Sequence, residues 1–589
     1  MSTELEELSS DEDSGRMKFD EIVQLLGDFG TYQKRVYFLL CLASMSCGIQ
    51  IMVSVFNMGH SEHRCAIPGL ENDSYIVANE EHAKLINETI PWDSNRGDSG
   101  GYSQCYVWSA NGTSGDRSLT RCQRWVYDES QFRTTVISKF DLVCENEMAR
   151  SHARMIMMGG LLLGAIGTGV VADIVGRKLA LMGMVALHAA SSIGVAWADT
   201  LVIYVILRFL TGISISGLFL AIFVLGMELV GPSKRMVVGI VVEVFWAAGV
   251  LILGVIAYFI REWEILQMVV SFPILLFFTY CWLIPESPRW LLAKGQHEKA
   301  ESIIRHAARV NGVTIPEKVF DGMVLEENSK EERMTIIFKS PRFMIRLVVL
   351  CYNWLVCAMV YYGLSLNSGN LAGNLYVNFE LMSLVEIMGY VICLLGLNRV
   401  GRKLLHITCL IIGGGACLST IFTVLYADKS LEWINIVLAL VGKCGAAAAF
   451  AIIYIYSAEL FPTVLRNSLM GVTCLFARAG GMISPYIADL DKLLTGQLGK
   501  ALPLIVFGAT AVAGGIMCFI LPETLNKPLP ETLENAVDFG RASKRLRRHA
   551  QDVNDCEHNE DKPLQHLTEV NGDFKSLLSN DQSVAKTIV

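Results

Sequence analysis

The sequence predicts an all-α membrane protein of twelve transmembrane helices, arranged as two pseudo-symmetric six-helix bundles. Three observations carry that reading. Of 589 residues, 52% are hydrophobic and only 18% charged, with a mean hydropathy of +0.42, the balance of a chain that lives in lipid. Three motifs recur in the same order at nearly one spacing. Gly169-Val-Val-Ala-Asp173-Ile-Val-Gly176-Arg177-Lys178 returns as Gly396-Leu-Asn398-Arg399-Val400-Gly401-Arg402-Lys403, an offset of 225 at the shared glycine. Glu228-Leu-Val-Gly-Pro232 returns as Glu459-Leu-Phe-Pro462, offset 231, and Pro285-Glu-Ser-Pro288 as Pro522-Glu-Thr524, offset 237. Repeats in register across two membrane halves are the layout of carriers that rock around a central site. Finally, basic residues concentrate in alternate short loops, as the positive-inside rule requires.

Residues 1–35 read as a cytoplasmic segment; Met1 to Asp20 is acidic and polar, without the basic n-region or apolar h-region of a cleaved signal peptide. Insertion then falls to the first apolar run, at about 36–58, long enough to span a hydrocarbon core of ~30 Å. It opens the first bundle, 36–284, which also contains a polar loop at 60–150. All three Asn-x-Ser/Thr sequons lie in that loop, at Asn72, Asn87 and Asn111, together with Cys65, Cys105, Cys122 and Cys144. Sequons confined to one loop with an even cysteine count predict an extracellular, glycosylated, disulfide-bonded domain. Four cysteines allow three pairings, and the sequence does not choose among them. The other cysteines sit mostly in apolar runs and read as small buried hydrophobes, not metal ligands.

Further runs at about 152–172, 179–197, 201–224, 237–259 and 264–284 complete the first bundle. A charged linker, 285–343, contains the amphipathic stretch Glu298 to Val310 and predicts short helices on the inner surface. The second bundle, 344–521, offers runs at about 344–366, 376–397, 404–426, 433–456, 467–488 and 501–521. Predicted inner loops carry Arg177, Lys178, Lys234, Arg235, Arg399, Arg402, Lys403 and Arg466, whereas outer loops carry Arg261 beside two glutamates, Lys429, Lys492 and Lys500. Sequons and charge bias agree: both termini are cytoplasmic and the protein belongs in the plasma membrane. In the tail, 522–589, Lys544-Arg-Leu-Arg-Arg548 suits either anionic lipid or a solvated helix face. Thr587-Ile-Val589 fits a PDZ-domain partner.

The net charge of −8 lies outside the spans, and no basic excess points to nucleic acid. No phosphate-binding Gly-x-x-x-x-Gly-Lys loop, His-Glu-x-x-His or Gly-x-Ser-x-Gly occurs, so neither an ATP-driven pump nor an enzyme is expected, and no cofactor is implied. Chemistry is expected instead at charged and aromatic residues within the spans, because such residues are costly in lipid. Arg478, mid-way along span eleven, offers a bidentate fork for a substrate carboxylate, or pairs with Glu386 or Glu243. Lys443 in span ten faces the same choice, and Arg208 in span four reads as a helix anchor. Glu386 and Glu243 are candidates to hold a cation, to carry Na⁺ or H⁺, or to neutralise these bases. Trp354 and Tyr361, seven residues apart and so on one helical face, with Phe219 and Trp246 in the first half, suit an organic cation.

The repeated motif carries a second expectation. Asp173, Gly176, Arg177 and Lys178, with Arg399, Gly401 and Arg402 in the second copy, stand at helix ends where charges meet neighbouring spans, a gate latch expected to hold in the outward-open state and break in the inward-open one. Glu228 with Arg235, and Glu459 with Arg466, join the same network. Asn398 replaces Asp173 in the second copy, so that latch is expected to be weaker.

These motifs, with Gly27-Asp-Phe-Gly-Thr-Tyr-Gln33, Pro285-Glu-Ser-Pro-Arg-Trp290, Leu366-Asn-Ser-Gly-Asn370, Val385-Glu386-Ile and Leu521-Pro-Glu-Thr524, make the chain resemble the major facilitator superfamily. Within it they resemble the solute carrier 22 family of organic cation, carnitine and organic anion transporters. The resemblance implies a cavity between the halves lined by spans one, four, five, seven, eight, ten and eleven, with Trp354 and Tyr361 in an aromatic cage. Phe219 stands where organic cation carriers have tryptophan, and Leu162 falls in their phenylalanine run. Arg478 stands where those carriers have aspartate and where carnitine and anion carriers have arginine. The implied substrate is therefore an organic cation or a zwitterion such as carnitine, moved by alternating access. Organic anion exchange and a non-transporting receptor or scaffold are the alternatives.

Overall fold

A computed structural model describes residues 19–93, 100–109, 118–315, 340–371, 373–426, 431, 433–462, 465–490 and 497–527, with positions 530, 536, 537 and 539. Asn111, the basic cluster at 544–548 and the last three residues lie outside them. Among the described residues twelve long helices are present. The first half contains span one (Thr31–Asn57), span two (Met148–Val175), span three (Arg177–Val195), span four (Leu201–Glu228), span five (Arg235–Phe259) and span six (Trp263–Leu283). The second contains span seven (Pro341–Leu366), span eight (Leu375–Val400), span nine (Arg402–Tyr426), span ten (Trp433–Leu460), span eleven (Arg466–Ala488) and span twelve (Gln497–Met517). All but span eleven are apolar enough over a sufficient length to cross a bilayer. Span eleven has Arg478, Gly480 and Gly481 in its middle, and it packs against spans seven and two.

Two spans depart from regular helix. Span one breaks at Val53, between helices Thr31–Met52 and Ser54–Asn57. Span six passes through a 3₁₀ segment, Phe272–Thr279, entered at Pro273, where proline removes a backbone donor. Trp282, Phe259 and Leu276 project outward at 81%, 78% and 69% exposure, a belt that only lipid covers favourably. This is a multi-pass membrane protein.

The two halves use the same pairings. Span two packs on four as eight does on ten, span one on five as seven on eleven, and span three on six as nine on twelve. Glycines set the closest approaches: a Cβ at Gly160 would overlap the Phe209 carbonyl, and one at Gly480 the Leu355 carbonyl. In lipid, where no hydrophobic force drives helices together, such backbone proximity supplies the packing. Spans two and eleven, and five and eight, form the seam between halves.

The segment between spans one and two forms a small domain; its side of the bundle is termed the loop face and the opposite side the linker face. Three two-stranded ladders pair His63–Cys65 with Trp125–Tyr127, Trp92–Asp93 with Gly101–Tyr102, and Tyr106–Ser109 with Ser118–Arg121. Cys65 bonds Cys122 and Cys105 bonds Cys144, which selects one of the three pairings. Buried Asp73 accepts from both Arg64 Nη atoms at 2.7 and 3.0 Å and meets His82 Nε2 at 2.9 Å. Asn72 and Asn87 are exposed, with Asn87 accepting from the Tyr102 hydroxyl at 2.8 Å.

At the linker face, Phe19–Leu25, Pro288–Ala293 and His297–Asn311 are short helices that share an apolar cluster through Ile22, Leu291 and Ile304. The Asn311 amide ties them together by accepting from Tyr32 N and donating to the Leu26 carbonyl and Gln33 Oε1.

Candidate functional site

A cavity lies between the halves at mid-height. The first half contributes Phe219, Glu243 and Trp246 to its wall, and the second contributes Tyr361, Tyr390 and Arg478. Phe219 and Trp246 meet edge to face at 5.4 Å. Trp246 Nε1 donates to the Tyr361 hydroxyl at 3.1 Å, and that hydroxyl donates to Glu386 Oε1 at 2.6 Å. An aromatic pair thus links the halves through one hydrogen bond beside the cavity.

Glu386 is committed to other groups: Lys443 Nζ lies 2.9 Å from its Oε2, and Tyr390 donates to its Oε1 at 3.1 Å. Lys443 also donates to Ser365 Oγ at 2.8 Å and stands 3.4 Å above the Tyr361 ring centroid. With Met52 and Val250 of the first half, Glu386 and Lys443 line a second, smaller space beside the first. The pair is 1–2% exposed, and with three donors on the carboxylate a buried ion pair is tolerated. That leaves Arg478 without the Glu386 partner that the sequence offered it. Among the described residues Arg478 forms no ion pair, and its buried Nε has no hydrogen-bond partner. Glu243 shares its cavity from the opposite half, without a salt bridge among the described residues.

Trp354 stands one layer behind the wall. It is fully buried, donates to Ser457 Oγ at 2.9 Å, and packs edge-on against Tyr454 at 4.3 Å. Leu161, not Leu162, reaches the wall from span two. Four aromatic wall residues escaped the sequence reading: Tyr362, Tyr390, Phe450 and Tyr454. The signal was helical spacing, since Phe450 and Tyr454 are one turn apart, as are Glu386 and Tyr390.

The repeated motifs meet at the linker face as two matching constellations. In the first half, Arg177 lies 3.3 Å from Glu228 and 2.8 Å from Asp173, while Glu286 accepts from the Arg177 and Lys178 backbone N–H groups at 3.0 and 3.1 Å. In the second, Arg402 lies 3.0 Å from Glu459, and Glu523 accepts from the Arg402 and Lys403 N–H groups at 2.9 and 3.1 Å. Each arginine also reaches a carbonyl five residues back, Ala172 or Leu397. A carboxylate on a helix N-terminus satisfies orphan donors and opposes the helix dipole. Gly176 and Gly401 have φ of 108° and 97°, and a Cβ there would stand 2.5 and 2.6 Å from the Glu286 and Glu523 carboxylates; only glycine fits both demands.

The remaining latch candidates lie differently. Arg235 bonds Asp20 at 2.8 Å and leaves Glu228 to Arg177. Arg466 donates to the Phe461 carbonyl at 3.3 Å. Asn398 and Arg399 are exposed, and among the described residues the second constellation shows no counterpart of the Asp173 contact, the neutral Asn398 standing in its place. Sequence reasoning noted the repeat of Glu286 and Glu523 but gave neither residue a role.

Bonds across the halves cluster at the loop face. Asp489, just after span eleven, accepts from Ser151 Oγ and lies 3.8 Å from Arg150, while the Tyr376 hydroxyl donates to the Gln131 carbonyl at 2.9 Å.

Residues 130–535 match the model of the family described as "Sugar (and other) transporter". The chain is 35% identical over 543 residues to the organic cation transporter protein of Drosophila melanogaster, covering 89% of this chain and 95% of that one. It is 32% identical over 533 residues to organic cation/carnitine transporter 2 of Homo sapiens, covering 88% and 93%, and 33% identical over 542 residues to solute carrier family 22 member 3 of Mus musculus, covering 89% and 96%. The fold is similar to the inward-open xylose transporter XylE from E. coli, with a TM-score of 0.57 at 14% identity, over 84% of this chain and 98% of that one.

Proposed function

This chain belongs to the sugar (and other) transporter family and, within it, to the solute carrier 22 carriers, and from that membership we propose that it moves small organic cations or zwitterions such as carnitine across the plasma membrane. One observation carries the reading. Arg478 and Glu243 come from opposite halves into one aromatic-lined cavity, and neither has an ion-pair partner among the described residues. A zwitterion satisfies both at once, its carboxylate on the guanidinium fork and its ammonium beside Glu243 and the aromatic rings of Phe219 and Trp246. Because the two charges sit on different halves, such a substrate draws the halves together, and that coupling suits alternating access. Glu386 and Lys443, next to the cavity and bonded through Tyr361 to its wall, are the candidates through which Na⁺ or H⁺ acts.

The two faces support an orientation. Disulfides and the exposed sequons Asn72 and Asn87 share the loop face, which is therefore extracellular. The basic motifs share the linker face, which with both termini is cytoplasmic. Glycosylation at those sequons and a PDZ partner at Thr587-Ile-Val589 complete the proposal. Glu286 and Glu523, with Arg177 and Arg402, hold each half rigid while the halves rock.

Uptake of labelled carnitine, a small organic cation and a small dicarboxylate into cells expressing the chain tests the reading, with and without sodium. Carnitine uptake that Arg478→Asp abolishes, with cation uptake gained, is expected. Unchanged selectivity in that variant removes Arg478 from the site. Dicarboxylate uptake alone would favour organic anion exchange, the second reading that the unpaired Arg478 supports.

A further inference from the structure

Away from the central cavity, the loop-face end of the first half holds three buried arginines. Arg150 and Arg154 lie one turn apart on span two, and Tyr204 and Arg208 one turn apart on span four, at exposures of 5%, 4%, 0% and 2%. The two pairs lie within about one helical turn of each other, because just below them Gly160 and Gly212 bring spans two and four into backbone contact. Tyr204 is within electrostatic reach of Arg154 and Arg208, and Arg154 within reach of Arg150, Arg208 and Asp489.

The broken end of span one takes only part of their hydrogen-bonding capacity. Arg154 Nη2 reaches the Ser54 and Met58 carbonyls at 3.3 and 3.4 Å, and Arg208 Nη1 the Gln50 carbonyl at 3.1 Å. Arg150 Nε, Arg154 Nε and Nη1, Arg208 Nη2 and the Tyr204 hydroxyl are buried without a partner. Facing these guanidinium charges, Asp489 lies 3.8 Å from Arg150 and accepts from Ser151. That carboxylate belongs to the other half. Buried guanidinium groups demand a counter-charge and fill their donors with anions.

We propose that Arg150, Arg154 and Arg208 form a binding site for a small monovalent inorganic anion, which Asp489 shares as a tethered carboxylate while the loop face is closed. When the halves part at that face, Asp489 leaves with the second half and the anion takes its place on Arg150. By linkage, the anion then favours the state open at the loop face by whatever factor that state binds it better. The inference concerns a site separate from Arg478 and stands independently of which organic substrate is carried.

Thermal unfolding of the purified full-length protein in sodium chloride against sodium gluconate at equal ionic strength tests it. Chloride is expected to raise Tm in the wild type. In Asp489→Asn, where the competing carboxylate is gone, the half-saturating chloride concentration should fall at least about fivefold, the lower end of usual coupling. Arg154→Gln should flatten the response, and Arg208→Gln repeats that test should Arg154→Gln fail to fold. Arg478→Gln should keep the response. The site is refuted by equal Tm in both salts for wild type and Asp489→Asn, or by a response lost in Arg478→Gln and kept in Arg208→Gln.

Discussion

Replacing Lys443 with methionine removes one charge from a fully enclosed ion pair between spans eight and ten while keeping a long unbranched side chain. Glu386 then retains the Tyr361 and Tyr390 hydroxyls at 2.6 and 3.1 Å but loses its counter-ion at 2.9 Å. Leaving one partner of a buried pair alone costs about 3–5 kcal/mol. Lys443→Met with Glu386→Gln presents no uncompensated charge, keeps an acceptor for both tyrosines, and should return to within about 1–2 kcal/mol of wild type. The double-mutant cycle therefore predicts a coupling of about 2 kcal/mol or more, within the span found for residues in contact. On domains of this size each kcal/mol shifts Tm by about 2–4 °C, so Lys443→Met should melt on the order of 10 °C early. The double variant should recover most of that. The assay is the melting of four purified proteins, with carnitine uptake alongside. If the single effects add within about 0.5 kcal/mol, Lys443 and Glu386 do not stabilise each other and the geometry has been misread.

Other outcomes follow from the same reasoning. Glu286→Gln and Glu523→Gln each weaken a charged cap on two backbone N–H groups, worth roughly 0.3–2 kcal/mol at a helix N-terminus; maximal uptake rate should fall more than apparent substrate affinity, and an effect confined to affinity would contradict a clamp that holds each half rigid. Gly160→Val forces a side chain against the Phe209 carbonyl and should cost the folded, monodisperse fraction by size exclusion, whereas Gly159→Ala, with nothing within 4 Å of its Cβ, should be neutral. In the loop domain, burial alone would raise the Asp73 carboxyl, but hydrogen bonds from Arg64, the Ile67 N–H and His82 hold it below the usual carboxylate range. Its contribution is therefore present above about pH 3.9 and lost as pH falls through the lower folded value. Hydrogen exchange in the 63–67 segment should rise at that acid step in wild type, and Asp73→Asn should show fast exchange already at neutral pH.

Much of this architecture was legible because lipid simplifies the code. Apolar runs had to be helices, and three repeats in register had to mean like halves. The structure repays that reading in detail, since Arg177, Glu228 and Glu286 assemble as Arg402, Glu459 and Glu523 do. Arg478, Glu243, Phe219, Trp246 and Tyr361 do share one cavity, because a charge or large ring within a span has few places to go but the interior. Depth within the bundle was not legible. Trp354 and Tyr361 share a helical face, yet only a ring from span ten decides that one is wall and the other backing. The glutamates of the Pro-Glu motifs hid for a related reason: their partners are backbone N–H groups, which no side-chain pattern announces. Partner choice was equally hidden, as with Arg235, which finds Asp20 of a helix formed by a segment read only as polar.

The two disulfides of the loop domain interleave along the chain, Cys65 to Cys122 and Cys105 to Cys144. Any single peptide bond broken between Cys65 and Cys144 is therefore bridged by at least one of them. A protease that nicks this domain once releases nothing: spans one and two stay covalently joined, and the damage becomes visible only after a reducing agent is added. Surface trimming of the intact carrier and its loss from the membrane are thus separable events, distinguishable by running the same sample with and without reductant.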